Sequence, residues 1–135
     1  MSRHPIIRAF PLLVALVVLP GCPSAPALNY EKTVDMEPGD IKLYTIDAPR
    51  RDQKIRVETD SAEAIDVTVA PESDAEAVKK FLSREVAGSN PPWLARKESN
   101  KHHSLDTEVP AGKSFTVLLS GAKKRTEVKL KVKSQ

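Results

Sequence analysis

The chain has 135 residues, of which 40% are hydrophobic and 29% charged, with a formal net charge of +3. That length suits one domain rather than two. The single cysteine excludes an internal disulfide framework and a zinc site built from several thiolates. Aromatic residues make up only 4%, which argues against a surface on which bases or sugars stack. Two arginines near the N-terminus carry most of the basic excess, so the charge does not predict nucleic-acid binding.

The first 21 residues have the pattern of a secretory signal peptide. Arg3 and Arg8 lie in a basic beginning without acidic residues, and residues 9–19 are then uncharged and almost wholly apolar. An apolar helix of that length spans roughly 16 Å, far less than the ~30 Å of a bilayer core. Prolines bracket the stretch, which argues against a buried core helix. We therefore expect residues 1–21 to be a signal peptide that is removed.

The next feature, Leu19-Pro20-Gly21-Cys22, resembles the lipobox of bacterial lipoproteins, in which an aliphatic residue and two small residues precede a cysteine. Gly21 leaves room for a peptidase, so the expected cleavage site is the bond between Gly21 and Cys22. The resemblance implies that the thiol of Cys22 takes a diacylglycerol group and that cleavage frees its amine for a further acyl chain, such as palmitate. Two or three chains hold a protein stably on a membrane, because each buried methylene contributes about 0.8 kcal/mol.

The lipobox resemblance also implies a location. We expect a membrane-anchored lipoprotein of the cell envelope, facing the periplasm or the exterior. Residues 22–29 would form a lipidated tether whose prolines keep it extended, with a reach of roughly 20 Å at most. The globular domain would then occupy residues 30–135 and lie close to the membrane surface.

Alternation of apolar and polar residues from Tyr30 onward predicts a mainly β domain. Turn residues separate the alternating segments: Pro38-Gly39 suits a type II turn, and Gly112 suits a left-handed backbone conformation. Residues 115–119 are expected to be buried on both faces and residues 128–133 on one. We expect an antiparallel β-sandwich or jelly-roll-like fold. About eight short strands are predicted, near residues 31–36, 41–46, 54–58, 65–69, 93–98, 103–109, 115–119 and 128–133.

One segment, residues 73–87, has a helical pattern instead. Ser73 and Glu76 have the spacing of a capping box, and Gly88 is placed for the C-terminal cap. The spacing predicts an inserted helix of about three to four turns, with an apolar stripe that covers an open end of the sandwich. The stripe consists of Val78, Phe81 and Leu82. The alternative to this covering role is that the helix binds a partner.

The order of these elements resembles the bacterial pre-peptidase C-terminal domain. The shared outline has Pro38-Gly39-Asp40, an aromatic residue in the next strand at Tyr44, further alternating strands, and a close that runs from Pro110-Ala111-Gly112 through Val132. The resemblance covers roughly residues 30–133. It implies a β-sandwich module that accompanies other activities and is not itself catalytic.

Two adjacent histidines raise the question of catalysis or metal binding. Neighbouring side chains of a strand point to opposite faces, so His102 and His103 are not expected to converge on one ion. A triad of a histidine with Ser104 and Asp106 would also need an oxyanion site, and the chain has no Gly-x-Ser-x-Gly elbow. We therefore expect no catalytic residue, no metal site and no cofactor. A hydrolase that uses His102 or Ser104 is the least favoured alternative.

The last part of the chain is strongly basic. One interpretation is edge protection, in which a row of lysines blocks aggregation between strands. The other is contact with an anionic surface, either lipid headgroups or cell-wall polymers. The residues concerned are Lys123, Lys124, Arg125, Lys129, Lys131 and Lys133.

These observations predict a lipid-anchored, non-catalytic interaction module of the cell envelope. Its expected partners are the membrane, through the lipid anchor, and an envelope protein or a cell-wall polymer, but no nucleic acid. A module that binds an envelope glycan or a small ligand is the first alternative. That alternative predicts a concave, apolar-lined site near Trp93, the single tryptophan.

Overall fold

A computed structural model describes residues 28–84 and 91–135. The predicted signal peptide, Cys22 and most of the predicted tether lie outside these residues, as does Gly88 of the predicted helix cap. None of the described helices is long and apolar enough to span a bilayer. The described elements are β1 (Asn29–Met36), β2 (Lys42–Ile46), β3 (Gln53–Pro71), a 3₁₀ turn (Glu72–Asp74), α1 (Ala75–Leu82), β4 (Ala95–Val109), β5 (Phe115–Ser120) and β6 (Thr126–Ser134).

The described residues form six strands, so the prediction of eight is wrong at two places. The segments 54–58 and 65–69 belong to one long strand, β3, and the segments 95–98 and 103–109 belong to another, β4, which begins two residues after the predicted start at 93. The residues between them mark bends and not loops. The register of β3 against β4 shifts between Asp60 and Ile65, and Ser99 on β4 has a positive φ of 51°.

Strand β3 is shared by two halves of an antiparallel sheet. Its first half pairs with β6, its second half pairs with β5, and β4 runs beside both halves. Strand β1 extends the first half beyond β6, and β2 extends the second half beyond β5. The bend in β3 and β4 turns the two halves toward each other across one core. The predicted antiparallel β-sandwich is therefore confirmed.

The core follows the period-two pattern of the strands. Alternate residues of β3 point inward, and Val57 and Val67, which lie in different halves, are both fully buried. All six residues of β5 are buried, which confirms the prediction of a strand covered on both faces. Strand β6 alternates between buried and exposed residues from Thr126 to Val132, as its sequence predicts. The type II turn is also confirmed, because the amide of Asp40 donates to the carbonyl of Glu37 at 3.1 Å and Gly39 has a φ of 82°.

The predicted helix is present but differs in length, start and position. It spans Ala75–Leu82 instead of 73–87, and its N-cap is Asp74, which makes no side-chain capping hydrogen bond. The capping box at Ser73 is therefore wrong, because the chain first makes a 3₁₀ turn. Val78 packs against Leu118 on the outer face of the second half of the sheet, so the helix does not cover an open end of the sandwich.

The pairing of β1 with β6 defines two ends of the domain. At one end, which we call the Leu28 end, the amide of Leu28 donates to the hydroxyl of Ser134, and the amide of Ser134 donates to the carbonyl of Leu28. At the other, the Gly121 end, Met36 pairs with Thr126 immediately after the β5–β6 loop. The eight residues of β1 separate the two ends by about 25 Å.

The contact between α1 and the sheet gives a first testable prediction. Leu118→Ala removes a fully buried side chain of β5 that packs against the helix. We expect the free energy of unfolding, measured by urea denaturation, to fall by about 2–5 kcal/mol. Lys124→Ala, at an exposed loop position, is the control and should change it by less than about 0.5 kcal/mol. An equal, small effect of both substitutions would contradict the packing of α1 on the sheet.

Candidate functional site

The lysines of β6 lie on the outer face of the sheet, and one of them, Lys131, lies between acidic residues of both neighbouring strands. Lys131 is opposite Glu31 on β1 and opposite Glu58 on β3. Its Nζ is 3.8 Å from Oε1 of Glu31, and the Nζ of Lys133 is 3.9 Å from Oε2 of Glu58. Lys129 is opposite Asp60 on β3. Because β6 is an inner strand with a partner on each side, the edge-protection interpretation is wrong for these lysines.

The other predicted basic residues form a separate group on the β5–β6 loop. Lys123, Lys124 and Arg125 are exposed there, at the Gly121 end. Nε of Arg125 is 3.4 Å from a carboxylate oxygen of Glu37, and the two lysines pair with no carboxylate of the described residues. The six basic residues of the C-terminal segment therefore do not form one continuous basic surface.

The two histidines point to opposite faces, as expected for neighbours in a strand. His102 is 75% exposed, and its Nδ1 is 2.8 Å from Oδ1 of Asp60. His103 is only 4% exposed, and its Nε2 donates to the carbonyl of Ile65 at 2.6 Å. His103 thus stabilises the bend of β3, whereas His102 lies on the outer face beside Asp60. The described residues bring together no cluster of three or more metal-ligating side chains.

Asp106 is engaged away from the histidines. Nε of Arg56 donates to Oδ1 of Asp106 at 2.8 Å, and the side-chain amide of Gln135 donates to the same oxygen at 2.9 Å. The hydrogen bond from Arg56 lowers the pKa of Asp106 below its ordinary value. The triad considered from the sequence is therefore not assembled, because its carboxylate belongs to an ion pair at the sheet surface.

Trp93 links the helix to β4. Its ring centroid lies 5.8 Å from that of Phe81 on α1, with the two planes tilted by 55°. Cζ of Arg96 lies 5.2 Å from the centre of the Trp93 ring, within the range of a cation–π contact. Trp93 is partly buried against the cluster formed by Val78 and Leu118. The guanidinium of Arg96 is therefore held between an aromatic face and the sheet.

A cavity of about 780 Å³ opens next to this contact, at the Gly121 end. One wall is apolar and comes from the residue before β2 and the end of α1, and the other is polar and comes from β3, β4 and β5. The apolar wall is formed by Ile41, Phe81 and Leu82, and the polar wall includes Asp66, Arg96 and Ser120.

The polar wall is tightly built. The backbone amide of Ser99 donates to Oδ1 of Asp66 at 2.7 Å, and Nη2 of Arg96 lies 3.9 Å from Oδ2 of the same carboxylate. A Cβ atom on Gly121 would lie 2.5 Å from Asp66, so only glycine fits there. Nε of Arg96 and Oγ of Ser120 are buried without a hydrogen-bond partner among the described residues.

The sequence does not predict this cavity, although the small-ligand alternative predicts a concave site near Trp93. Asp66, Arg96 and Ser120 come from three strands and form no motif. Their proximity follows from the pairing of Asp66 with Ser120 and from the bend of β4. A local signal did exist at Gly121, because a glycine directly after a buried strand marks a special backbone position.

Comparisons with known proteins define the class of fold. The chain is similar to the crystal structure of a pre-peptidase C-terminal domain of collagenase from Bacillus anthracis, with a TM-score of 0.56 and 16% identity over 78% of this chain and 89% of that one. It is also similar to a mitogen derived from Yersinia pseudotuberculosis, with a TM-score of 0.51 and 9% identity over 82% of this chain and 87% of that one. No family model and no curated protein match the chain. At these identities the likeness concerns the fold alone, and it agrees with the resemblance to the pre-peptidase C-terminal domain.

The alternation of charge across β1, β6 and β3 gives a second prediction. Lys131→Glu places a third carboxylate between Glu31 and Glu58, so we expect the free energy of unfolding to fall by about 1 kcal/mol at low salt. The loss should shrink at high salt, which screens exposed charges. Lys124→Glu makes the same charge change on the loop and should have little effect. Equal effects of the two substitutions would contradict the stabilising role of the charge alternation.

Proposed function

We propose that this protein is a lipid-anchored protein of the bacterial cell envelope whose non-catalytic β-sandwich presents its Gly121 end to a partner. The observation that carries the proposal is the lipobox pattern at Leu19-Pro20-Gly21-Cys22, which follows a basic and then apolar N-terminal segment. The similarity of the fold to a pre-peptidase C-terminal domain supports an accessory, non-catalytic module.

The geometry of the domain supports a definite orientation on the membrane. Only five residues lie between Cys22 and Leu28, which limits the tether to roughly 20 Å. Leu28 is fixed to Ser134 at one end of the sandwich, and Arg50 lies nearby at that same end. A short tether at this end turns it toward the lipid, and the Gly121 end then faces away from the membrane.

The distribution of basic residues favours an envelope partner over lipid headgroups. Each lysine of β6 has an acidic neighbour: Lys131 has Glu31 and Glu58, Lys129 is opposite Asp60, and Lys133 lies near Glu58. Lys123 and Lys124 lie at the Gly121 end, which is about 25 Å from the tether along β1. In the proposed orientation these two lysines are available to an anionic envelope protein or cell-wall polymer, and not to the bilayer that holds the anchor.

The side chains considered for catalysis support a non-enzymatic role. His103 is buried and bound to the backbone of Ile65, and Asp106 is bound to Arg56. The remaining pair, His102 and Asp60, is exposed on the outer face of the sheet beside an open depression, where water is not excluded. A second function, the binding of a small ligand, is favoured by the cavity at the Gly121 end and is developed below.

The lipid anchor gives a third prediction. The intact mass of the protein purified from the membrane fraction should correspond to a chain that begins at Cys22 and carries acyl groups. In Cys22→Ala the acyl groups should be absent and the protein should leave the membrane fraction. An unmodified mass with a freely soluble wild-type protein would mean ordinary secretion and would exclude the proposed anchor.

The orientation gives a fourth prediction, which uses the fact that Cys22 is the only cysteine. Because acylation consumes its thiol, a fluorophore can be attached selectively to Arg50→Cys or to Lys124→Cys in the mature protein. In vesicles with nitroxide-labelled headgroups, we expect stronger quenching of the label at position 50 than of the label at position 124. Equal quenching, or stronger quenching at position 124, would show that the Gly121 end does not face away from the membrane.

A further inference from the structure

We infer that the cavity at the Gly121 end binds a small carboxylic acid that carries a short apolar group. The inference deepens the proposed binding role by naming a class of ligand. It rests on the described cavity and not on the lipid anchor, so the two can fail separately.

Two buried polar groups, both on residues that line the cavity, lack a hydrogen-bond partner among the described residues. Ser120, which is 5% exposed, lines the cavity, and its hydroxyl has no hydrogen-bond partner among the described residues. The same holds for Nε of Arg96. Buried polar groups are normally hydrogen-bonded, so two such groups at one cavity indicate a place for an acceptor. A carboxylate is the acceptor that suits a guanidinium and a hydroxyl together.

The charges that line the cavity also favour an anion. Asp66, Arg84 and Arg96 are its charged residues, which gives one positive charge in excess. The carboxylate of Asp66 already accepts a hydrogen bond from the backbone amide of Ser99 and faces Arg96. Arg84 pairs with no carboxylate of the described residues. A cationic ligand would therefore be repelled by two arginines. An anionic ligand would be attracted to them and would accept hydrogen bonds from donors that lack a partner.

The opposite wall selects an apolar group of limited size. Ile41, Phe81 and Leu82 line it. The volume of about 780 Å³ lies within the range of small-molecule sites, roughly 300–1,000 Å³. A short branched or linear hydrocarbon next to the carboxylate would contact this wall while the carboxylate meets Arg96 and Ser120.

The site is held in place before any ligand binds. Arg96 lies over Trp93, and its Nη2 is 3.1 Å from a carboxylate oxygen of Glu98. Gly121 has a φ of 79° and approaches Asp66 so closely that no side chain fits. Such preorganisation lowers the conformational cost of binding.

The test uses the mature protein as purified from cells, in detergent, with the fluorescence of Trp93 as the reporter. Trp93 is the only tryptophan and contacts both Phe81 and Arg96. The probes are 4-methylpentanoate and its amide, 4-methylpentanamide, which have the same hydrocarbon but differ in charge. A second pair, N-acetyl-alanyl-leucine and its C-terminal amide, separates a peptide C-terminus from a free acid as the source of the carboxylate.

We expect a saturable change in fluorescence with at least one carboxylate and binding weaker by about tenfold for the matching amide. Ser120→Ala and Arg96→Gln should each weaken the binding of that carboxylate by about tenfold, with the fold of each checked by circular dichroism. Arg125→Gln removes a cation from the neighbouring exposed loop and should leave binding unchanged.

Three outcomes would overturn the inference: no saturable response to either carboxylate, equal binding of acid and amide, or binding that survives both Ser120→Ala and Arg96→Gln. If the carboxylates fail while Cys22→Ala still releases the protein from the membrane, the ligand class is wrong and the envelope anchor stands. If the anchor fails while the carboxylates bind, the cavity is a ligand site of a secreted protein.

Discussion

The long antiparallel pairing of β3 with β4 is the constraint on which the rest of the domain depends. Because β3 pairs with β4 on one edge and with β6 and then β5 on the other, β6 and β5 are fixed to its two halves and bring β1 and β2 with them. The bend between Asp60 and Ile65 then folds the sheet over its own core. The hydroxyl of Ser61 stabilises this bend, since it lies 2.7 Å from the carbonyl of Glu63 and 3.3 Å from that of Lys101 on β4.

The cavity is a consequence of the same bend. Asp66 is the first residue of β3 that pairs with β5. Its carboxylate accepts a hydrogen bond from the backbone amide of Ser99, which has a positive φ and lies where β4 bends. The hydrogen bond that joins the two bends thus also forms the polar wall of the cavity. Ser120 and Gly121 complete this wall because β5 ends opposite Asp66. A change that loosens the bend would therefore open the cavity as well, so stability and the proposed ligand binding are coupled at this place.

The sequence predicted those features that depend on neighbouring residues. The alternation in residues 128–133, the burial of residues 115–119 and the type II turn at Gly39 are local patterns, and all three are confirmed. The merging of two strand pairs was missed because a bend within a paired strand has the same polar composition as a loop. The balance of the β6 lysines was missed because Glu31 and Glu58 are distant in sequence from Lys131 and become its neighbours only through the register of the sheet.

The antiparallel pairing of β1 with β6 also determines how the proposed anchor and the cavity are related. An anchored chain that enters β1 at Leu28 must run the length of that strand before it reaches Met36, and β6 returns along it from Thr126. The β5–β6 loop, and with it Gly121, is thereby placed at the end opposite the tether. A one-residue shift in the register of β1 against β6 would move buried side chains to the exposed face, so the buried residues of these strands prevent it. In the proposed orientation, a short tether before β1 therefore directs the cavity away from the membrane, without any specific contact between the domain and the lipid.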